Sequence, residues 1–315
     1  MGIVIGMDEA GLGPNLGPLV ITVTVWEVPG DPRDTDFWSA FEGFVTRDPP
    51  SSDSQLQIAD SKHVYSPTRG FDHLETGVLA ACGLLGWIPT SFRDVTERVT
   101  CLTAGDLATE PWFADRDASL PSVVAAGHVT RLASAWSERC HAADMRLRAI
   151  RSDVVLTQRF NQLTRQLDNK AAALSRLSLQ LLRQVWSPTE PDRTLVLADK
   201  HGGRNRYHDL LADIADGQFI FALEEGADRS RYRIGATELA FQTRSEQHLP
   251  VALASMVCKY LREVAMELFN AFWQEQAPGV KPTAGYPVDA RRFRDEIETA
   301  RCRLNISDDV LWRER

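Results

Sequence analysis

The sequence lacks the features that would direct a chain into or across a membrane. No stretch approaches the roughly 18 consecutive apolar residues that a membrane-spanning helix needs. The opening residues, MGIVIGMDEA, have no basic region ahead of an apolar stretch and reach an acidic side chain at Asp8. We therefore expect no signal peptide, no association with a membrane and a cytoplasmic location.

Cysteine is scarce and odd in number, which argues against a disulfide framework. The five cysteines are Cys82, Cys101, Cys140, Cys258 and Cys302, and no two of them have zinc-finger spacing. The histidines show no zinc-ligand spacing either, and no glycine loop ends in Gly-Lys-Ser or Gly-Lys-Thr. These absences exclude a disulfide-stabilised secreted domain, a zinc enzyme and a P-loop nucleotidase.

Positive charge is in deficit, with 35 Lys and Arg against 43 Asp and Glu and a formal net charge of −8. This balance disfavours a protein that coats nucleic acid through bulk charge, but it leaves room for a local basic groove beside an acidic site. Basic residues do cluster late in the chain, at 229–233, 291–294, 301–303 and 313–315. For any one cluster, a solvated face and a binding surface are equally compatible with the sequence.

The spacing of apolar residues predicts a chain in which strands and helices are mixed. Short β-branched runs predict strands over 3–7, 19–26, 194–199, 219–223 and 231–241. Apolar residues at helical spacing predict helices over 122–148, 158–186, 251–273 and 288–301. The short connection between the first two strands predicts an antiparallel pair. An α/β or α+β core follows from this mixture.

The strongest chemical feature is the adjacent pair Asp8 and Glu9 at the end of the first predicted strand. Two neighbouring carboxylates cannot both face an apolar core without a large free-energy cost, so we expect them at a cleft. Paired carboxylates suit hard, oxygen-preferring cations such as Mg²⁺ or Mn²⁺. The glycine- and proline-rich loop that follows, residues 11–18, allows bare backbone to approach a ligand closely. A surface acidic turn is the alternative interpretation of an isolated Asp-Glu pair.

The segment MDEAGLGPNLGPLV resembles the opening motif of the type-2 ribonucleases H (ribonucleases HII and HIII), which reads Asp-Glu-Ala-Gly-Arg-Gly-Pro…Gly-Pro. Four further segments follow in the order of that family, namely 59–62 (ADSK), 197–199 (LAD), 252–259 (ALASMVCK) and 285–287 (GYP). The first motif is specific by itself, and the later ones gain weight from their order. The matched segments extend, with interruptions, to about residue 298.

The resemblance implies a ribonuclease H-like fold, a mixed five-stranded sheet flanked by helices, in one catalytic domain over residues 1–315. Residues 29–57 and 88–150 are expected to be insertions, and 251–315 a C-terminal helical part. The resemblance also implies a divalent-metal-dependent endonuclease. Such an enzyme cuts the RNA strand of an RNA–DNA hybrid, or cuts at ribonucleotides embedded in a DNA duplex, and leaves 3′-hydroxyl and 5′-phosphate ends.

By the same resemblance, Asp8, Glu9 and Asp199 are expected to bind two Mg²⁺ or Mn²⁺ ions that hold the scissile phosphate between them. The family's fourth carboxylate corresponds to Ser245, and we expect the adjacent Glu246 to replace it. An ordinary exposed glutamate is the alternative for Glu246. These four carboxylates form the predicted catalytic and metal-binding set.

The predicted substrate-binding residues are Gly11, Leu12, Gly13, Lys62, Lys259, Tyr286 and Arg204. The loop amides would read a 2′-hydroxyl, the cations would hold phosphates, and the tyrosine would stack on a sugar or base. Leu12 stands where the family has arginine, so one phosphate contact is absent. Surface lysines, a solvated turn at Arg204 and a packed Tyr286 are the alternatives, and Asp60 is expected to fix its own loop without binding metal.

Three hypotheses therefore remain open on the sequence alone. The first is an active ribonuclease H-type endonuclease. The second is a nucleic-acid-binding relative with weakened metal binding, which Leu12 and Ser245 favour. The third is a nuclease of the same chemistry redirected to another nucleic-acid structure, such as branched DNA, through its insertions.

Overall fold

The computed structural model describes residues 1–314, which form two sheets and the helices around them. The strands are β1 Gly2–Ala10, β2 Leu19–Val28, β3 Val45–Thr46, β4 Leu56–Gln57, β5 Arg146–Val155, β6 Thr194–Asp199, β7 Ile220–Glu225, β8 Arg229–Ile234 and β9 Thr237–Gln242. The helices are α1 Phe37–Ala40, α2 Ser61–Val64, α3 Asp72–Leu84, α4 Phe92–Val99, α5 Ala104–Leu107, α6 Pro111–Ala114, α7 Ala126–Ala142, α8 Thr157–Leu167, α9 Lys170–Leu182, α10 His208–Ala212, α11 Leu249–Gln276, α12 Pro287–Arg303 and α13 Asp308–Leu311. Short 3₁₀ turns cover Pro32–Asp34 and Ser245–Gln247.

The larger sheet is mixed and has the strand order β5-β2-β1-β6-β9-β8-β7. Strand β2 pairs antiparallel with β1 and β5, whereas β6 pairs parallel with both β1 and β9. Helices cover both faces of this sheet, which confirms the predicted fold class. The expected number of five strands was too low, because the hairpin formed by β7 and β8 widens the sheet to seven.

Alternation of side chains along the strands divides the core into two layers. Ile3, Ile5 and Met7 of β1 belong to the layer that also contains apolar residues of α8, α9 and α10. Val4 belongs to the opposite layer, with apolar residues of α3, α7 and α11. Continued alternation directs Asp8 toward the α11 side of the sheet, at the end of β1 where the next connection begins.

The contact between β1 and α11 depends on Gly6. A Cβ atom on Gly6 would lie 2.2 Å from the carbonyl carbon of Pro250, in the first turn of α11. The same turn is also bound through Thr24 of β2, whose hydroxyl donates to the carbonyl oxygen of Pro250 at 2.8 Å. The start of α11 therefore lies directly on the two central strands, and this close approach fixes which α11 residues face Asp8.

Two expected helices differ from those observed, in both cases because an aspartate adopts a left-handed conformation. The helix expected over 122–148 ends at Ala142, Asp144 has φ +51°, and β5 begins at Arg146. The helix expected over 158–186 is two helices, because Asp168 has φ +48° and Asn169 then caps α9. Aspartate tolerates this conformation better than most residues, so neither break required a glycine or proline in the sequence.

No helix within residues 1–314 is long and apolar enough to cross a membrane. The segment 29–57, expected to be irregular, contains one 3₁₀ turn, α1 and the short strands β3 and β4, which form the second sheet. The final residues 146–150 of the segment 88–150 belong to β5, which pairs with β2.

Replacement of Gly6 by alanine is expected to destabilise the protein, because the added methyl group meets helix backbone that cannot rotate away. Overpacking of this kind costs about 1–3 kcal/mol in the free energy of unfolding, which urea denaturation measures. Gly127→Ala is the matched control, since its Cβ would meet no atom within 4 Å. An unchanged unfolding midpoint for Gly6→Ala would contradict the direct contact between β1 and α11.

Candidate active site

The register of the central strands brings acidic side chains from separate parts of the chain to one end of the sheet. Met7 pairs with Ala198, and Ala198 pairs with Phe241. Asp8 and Asp199 each lie one residue beyond these pairs, at the same end of the two central strands. Glu246 follows β9 at that edge, in the 3₁₀ turn Ser245–Gln247.

Asp8 and Glu9 are both desolvated and repel each other. Burial, followed by the charge of Glu9, raises the pKa of Asp8 well above its usual range, and only 7% of the residue is exposed. Burial and the neighbouring charge of Asp199 raise the pKa of Glu9 to about 7. Two carboxyl groups in these surroundings stay ionised only if positive charge is supplied nearby.

Asp199 and Glu246 belong to the same electrostatic group. Burial raises the pKa of each, and the charge of Asp199 raises the pKa of Glu246 further. Glu246 is half-buried beside the other acids, which does not fit the alternative of an ordinary exposed glutamate. We call Asp8, Glu9, Asp199 and Glu246 the carboxylate cluster.

Lys62 is the cation that the fold places beside this cluster. Its pKa is raised by Asp60 first and then, against the effect of burial, by Glu246, Asp8 and Asp199. Asp60 caps α2 by accepting the Lys62 backbone N–H at 3.1 Å, as expected for a residue that fixes its own loop. It also adds negative charge next to Glu246, a proximity that the sequence did not indicate.

Serine hydroxyls hold parts of the cluster in place. Ser255 of α11 lies beside Asp8, where its hydroxyl lowers the pKa of Asp8 against the larger effect of burial, and it donates to the hydroxyl of Ser61 at 3.1 Å. Ser245 is fully buried and donates to Oδ1 of Asp199 at 3.3 Å. The residue that stands where the family has its fourth carboxylate is therefore a hydrogen-bond donor to the third.

The turn that contains Glu246 is held from outside by the segment 29–57. Trp38 donates through Nε1 to the carbonyl oxygen of Gln247 at 2.8 Å, and Arg47 donates to the same oxygen at 3.0 Å. The Arg47 guanidinium also stacks over the Trp38 ring, 4.2 Å from its centroid. This segment thus supports the position of the displaced carboxylate.

The loop 11–18, which we call the glycine loop, lies beside the predicted tyrosine. The N–H groups of Asn15 and Leu16 donate to the carbonyl oxygen of Gly285 at 2.8 and 3.3 Å, which places Tyr286 next to the loop with 54% of its surface exposed. Gly11 has φ +95°, a conformation that other residues adopt rarely. A Cβ on Gly13 would meet open space, so backbone there is accessible to a ligand.

The predicted basic residues are less uniformly placed. Lys259 pairs with Glu263 at 2.6 Å and lies over the ring of Tyr65, at 5.1 Å. Arg204 is half-buried in the turn after β6, where its charge lowers the pKa of the buried His201 after the larger effect of burial. Leu12 packs against apolar residues of the α8–α10 layer. The roles of these three residues stay predictions.

Within residues 1–314, no group of three or more His, Cys, Asp or Glu side chains is arranged to hold a metal ion as the side chains stand. Burial nevertheless raises the pKa values of all four cluster carboxylates, and Asp8, Glu9 and Glu246 are each affected by the charge of another member. The donor set, four carboxylates beside one lysine, fits a divalent cation in charge and in ligand type.

Asp8→Asn is expected to raise the free energy of unfolding of the metal-free protein at neutral pH, because it removes a desolvated charge repelled by Glu9. Thermal denaturation in the presence of a chelator measures the effect. Asp53→Asn is the control, since Asp53 is exposed in the segment 29–57. A lower melting midpoint for Asp8→Asn would show that Asp8 is stabilised by its surroundings, contrary to the arrangement described here.

Trp38→Phe keeps an aromatic side chain but removes the Nε1 donor to Gln247. We expect a loss of about 1 kcal/mol in the free energy of unfolding. Faster amide hydrogen exchange across residues 245–247 should accompany it. Trp87→Phe provides the comparison, because the Trp87 ring also lies under an arginine, Arg98, at 5.2 Å. Equal exchange in both variants would mean that Trp38 does not support this turn.

Comparison with known proteins found no matching family model. No curated protein matched either.

Solved structures that resemble the chain include ribonuclease H2 from Pyrococcus horikoshii, with 13% identity, a TM-score of 0.43, and coverage of 98% of this chain and 92% of that one. Ribonuclease HII from Archaeoglobus fulgidus, in a complex with PCNA, has 12% identity, a TM-score of 0.41, and coverage of 99% and 94%. Ribonuclease H3 from Aquifex aeolicus has 13% identity, a TM-score of 0.38, and coverage of 98% and 70%.

Proposed function

We propose that this protein is a divalent-metal-dependent endonuclease that cuts the RNA strand of RNA–DNA hybrids or cuts at ribonucleotides embedded in DNA. One observation supports it above the others. Four carboxylates from three separate segments meet at one end of the sheet, with raised pKa values and Lys62 as their shared cation. Such a group of buried acids lowers the free energy of unfolding, and cations that bind only the folded protein raise it again.

Asp8, Glu9, Asp199 and Glu246 would hold two Mg²⁺ or Mn²⁺ ions. When bound, the ions supply Lewis-acid polarisation of the phosphate and lower the pKa of an attacking water. Ser245 would keep Asp199 oriented through its hydrogen bond, so its role is positional. Lys62 offsets negative charge at the cluster and would hold a non-bridging phosphate oxygen.

Recognition of the ribose would come from the glycine loop and the GYP segment. The exposed backbone at Gly13 lets a sugar–phosphate chain approach, and amides there can donate to a 2′-hydroxyl. Tyr286 projects beside the loop with an exposed ring that suits stacking on a sugar or base. This pairing of a backbone donor with an aromatic face would distinguish a ribonucleotide from a deoxyribonucleotide.

A second candidate is a nucleic-acid-binding relative without efficient catalysis. Leu12 favours it, because its side chain packs against the core and offers no charge to the substrate phosphate. Under this alternative the protein binds the same duplexes but turns them over slowly or not at all. The experiment below separates the two.

Wild-type protein with Mg²⁺ or Mn²⁺ is expected to cleave a labelled DNA duplex that contains one ribonucleotide, or a longer RNA–DNA hybrid, and to leave an all-DNA duplex intact. Asp199→Asn should lower kcat by about 100-fold or more, because the site would lose one of the carboxylates that hold the metal ions in position. The same substitution should weaken Mn²⁺ binding in calorimetry. Gel analysis of the products tests for 3′-hydroxyl ends.

Asp53→Asn is the control for surface charge and should cleave as the wild type does. Metal-dependent binding of the duplex without cleavage, at any metal concentration, would support the second candidate. Cleavage by Asp199→Asn at the wild-type rate would refute the proposed active site. Cleavage of branched all-DNA substrates in place of the hybrid would redirect the substrate assignment while keeping the chemistry.

A further inference from the structure

The last described residues of the chain lie against the glycine loop and form two hydrogen bonds with its residue Asn15. We call residues 307–314 the C-terminal tail. Within it, the Arg313 N–H donates to the carbonyl oxygen of Asn15 at 2.8 Å. The Asn15 side chain returns a donor, Nδ2, to the carbonyl oxygen of Arg313 at 2.9 Å. This reciprocal pair joins residues 298 positions apart.

The Arg313 side chain is fully buried and continues into the loop. Its Nη2 donates to the carbonyl oxygens of Gly11 and Pro14, and its guanidinium lies 4.8 Å from the centroid of the Phe160 ring. Its Nε and Nη1 have no hydrogen-bond partner among residues 1–314. No carboxylate of the described chain lies within ion-pair distance of it. Arg313 is therefore a buried cation whose hydrogen bonds go to loop carbonyls.

A second arginine approaches the same loop from α11. Arg262 is 2% exposed and donates to the carbonyl oxygens of Leu16 and Ala284 at 3.2 and 3.1 Å. A Cβ on Gly11 would lie 2.6 Å from its Nε, so the glycine allows the arginine to pass. Its nearest carboxylate is Glu263, at 3.6 Å. Two cations thus lie behind one loop. The carboxylates near them are Glu263, close to Arg262, and the buried Glu110, whose charge raises the pKa of Arg313.

Burial of such a charge costs several kcal/mol unless it is compensated, so its retention calls for a reason. Burial and the neighbouring Arg262 lower the pKa of Arg313 to about 9, which leaves the guanidinium charged at neutral pH. An anion bound on the outer side of the loop would interact favourably with both cations through poorly screened surroundings.

The hydrogen bonds also orient the loop amides. Because a trans peptide is planar, a Gly11 carbonyl turned inward toward Arg313 turns the Leu12 N–H outward. The Leu12 and Gly13 amides donate to no other group of the described chain. An outward Leu12 amide in front of buried cations, beside open space at Gly13, forms the kind of donor site that binds phosphate or a sugar hydroxyl.

We propose that Arg313 is a positioning residue: with Arg262 it holds the glycine loop so that the Leu12 and Gly13 amides face an anionic nucleic-acid backbone. This inference rests on the proposed function and deepens it. It also explains how the loop can bind an anion with Leu12 in place of an arginine, because Arg313 of the C-terminal tail supplies positive charge on the inner side of the loop.

The test follows the Leu12 and Gly13 amide resonances in ¹⁵N-labelled protein while a short RNA–DNA hybrid is added in the presence of a chelator. In the wild type, both resonances are expected to shift with saturation. Arg313→Lys retains the charge but cannot donate to Gly11 and Pro14 in the planar fork geometry. Its dissociation constant for the hybrid should rise about tenfold. Arg303→Met is the control, because Arg303 is exposed and donates to Gln276, remote from the loop.

Kinetics and metal binding provide the second readout. Arg313→Lys should raise KM about tenfold, leave kcat within about twofold and leave the Mn²⁺ affinity unchanged, whereas general loosening of the fold would alter all three. Wild-type resonances that do not respond to the hybrid would overturn the inference even if Arg313→Lys failed to fold. So would unchanged binding by a folded Arg313→Lys variant. Responsive amides without any cleavage would refute the proposed nuclease activity while the loop assignment stands.

Discussion

The approach of α11 to β1 at Gly6 is the contact on which the arrangement of this protein depends. The absence of a side chain there lets the backbone of Pro250 lie against the strand. One and a half turns further along the helix, Ser255 reaches Asp8, and the Cys258 thiol donates to the main-chain carbonyl of Asp8 at 3.2 Å. The helix therefore determines both the burial of Asp8 and the polar groups available to it.

That burial creates the electrostatic tension of the site. Desolvation raises the pKa values of all four cluster carboxylates, and repulsion by neighbouring carboxylates raises those of Asp8, Glu9 and Glu246 further. Lys62 offsets only part of the charge. A fold selected for stability alone would place apolar or neutral residues in these positions. Buried acids in this setting are typical of sites where a bound cation offsets the free-energy cost of burying them.

Two peripheral parts of the chain reach in to support the site from opposite directions. The segment 29–57 holds the turn of Glu246 through Trp38 and Arg47. The C-terminal tail holds the glycine loop through Arg313. In each case a side chain donates to main-chain carbonyl oxygens, and these hydrogen bonds hold the backbone of the supported segment in place.

Features of this protein that depend on local order could be predicted from its amino-acid sequence. The β-branched runs and the apolar stripe of α11 predicted the mixed fold, and the resemblance carried by the motif around Asp8 led us to expect Asp199 nearby. The parallel pairing of β1 with β6 is the reason that Asp8 and Asp199 lie at the same end of the sheet. Tertiary structure alone decided the remainder. A left-handed Asp144 produced the unpredicted strand β5, and a basic residue near the C-terminus, Arg313, became a buried support of the first loop. Neither could be foreseen, because aspartate is only mildly biased toward that conformation, and the burial of an arginine depends on which distant backbone carbonyls meet it in space.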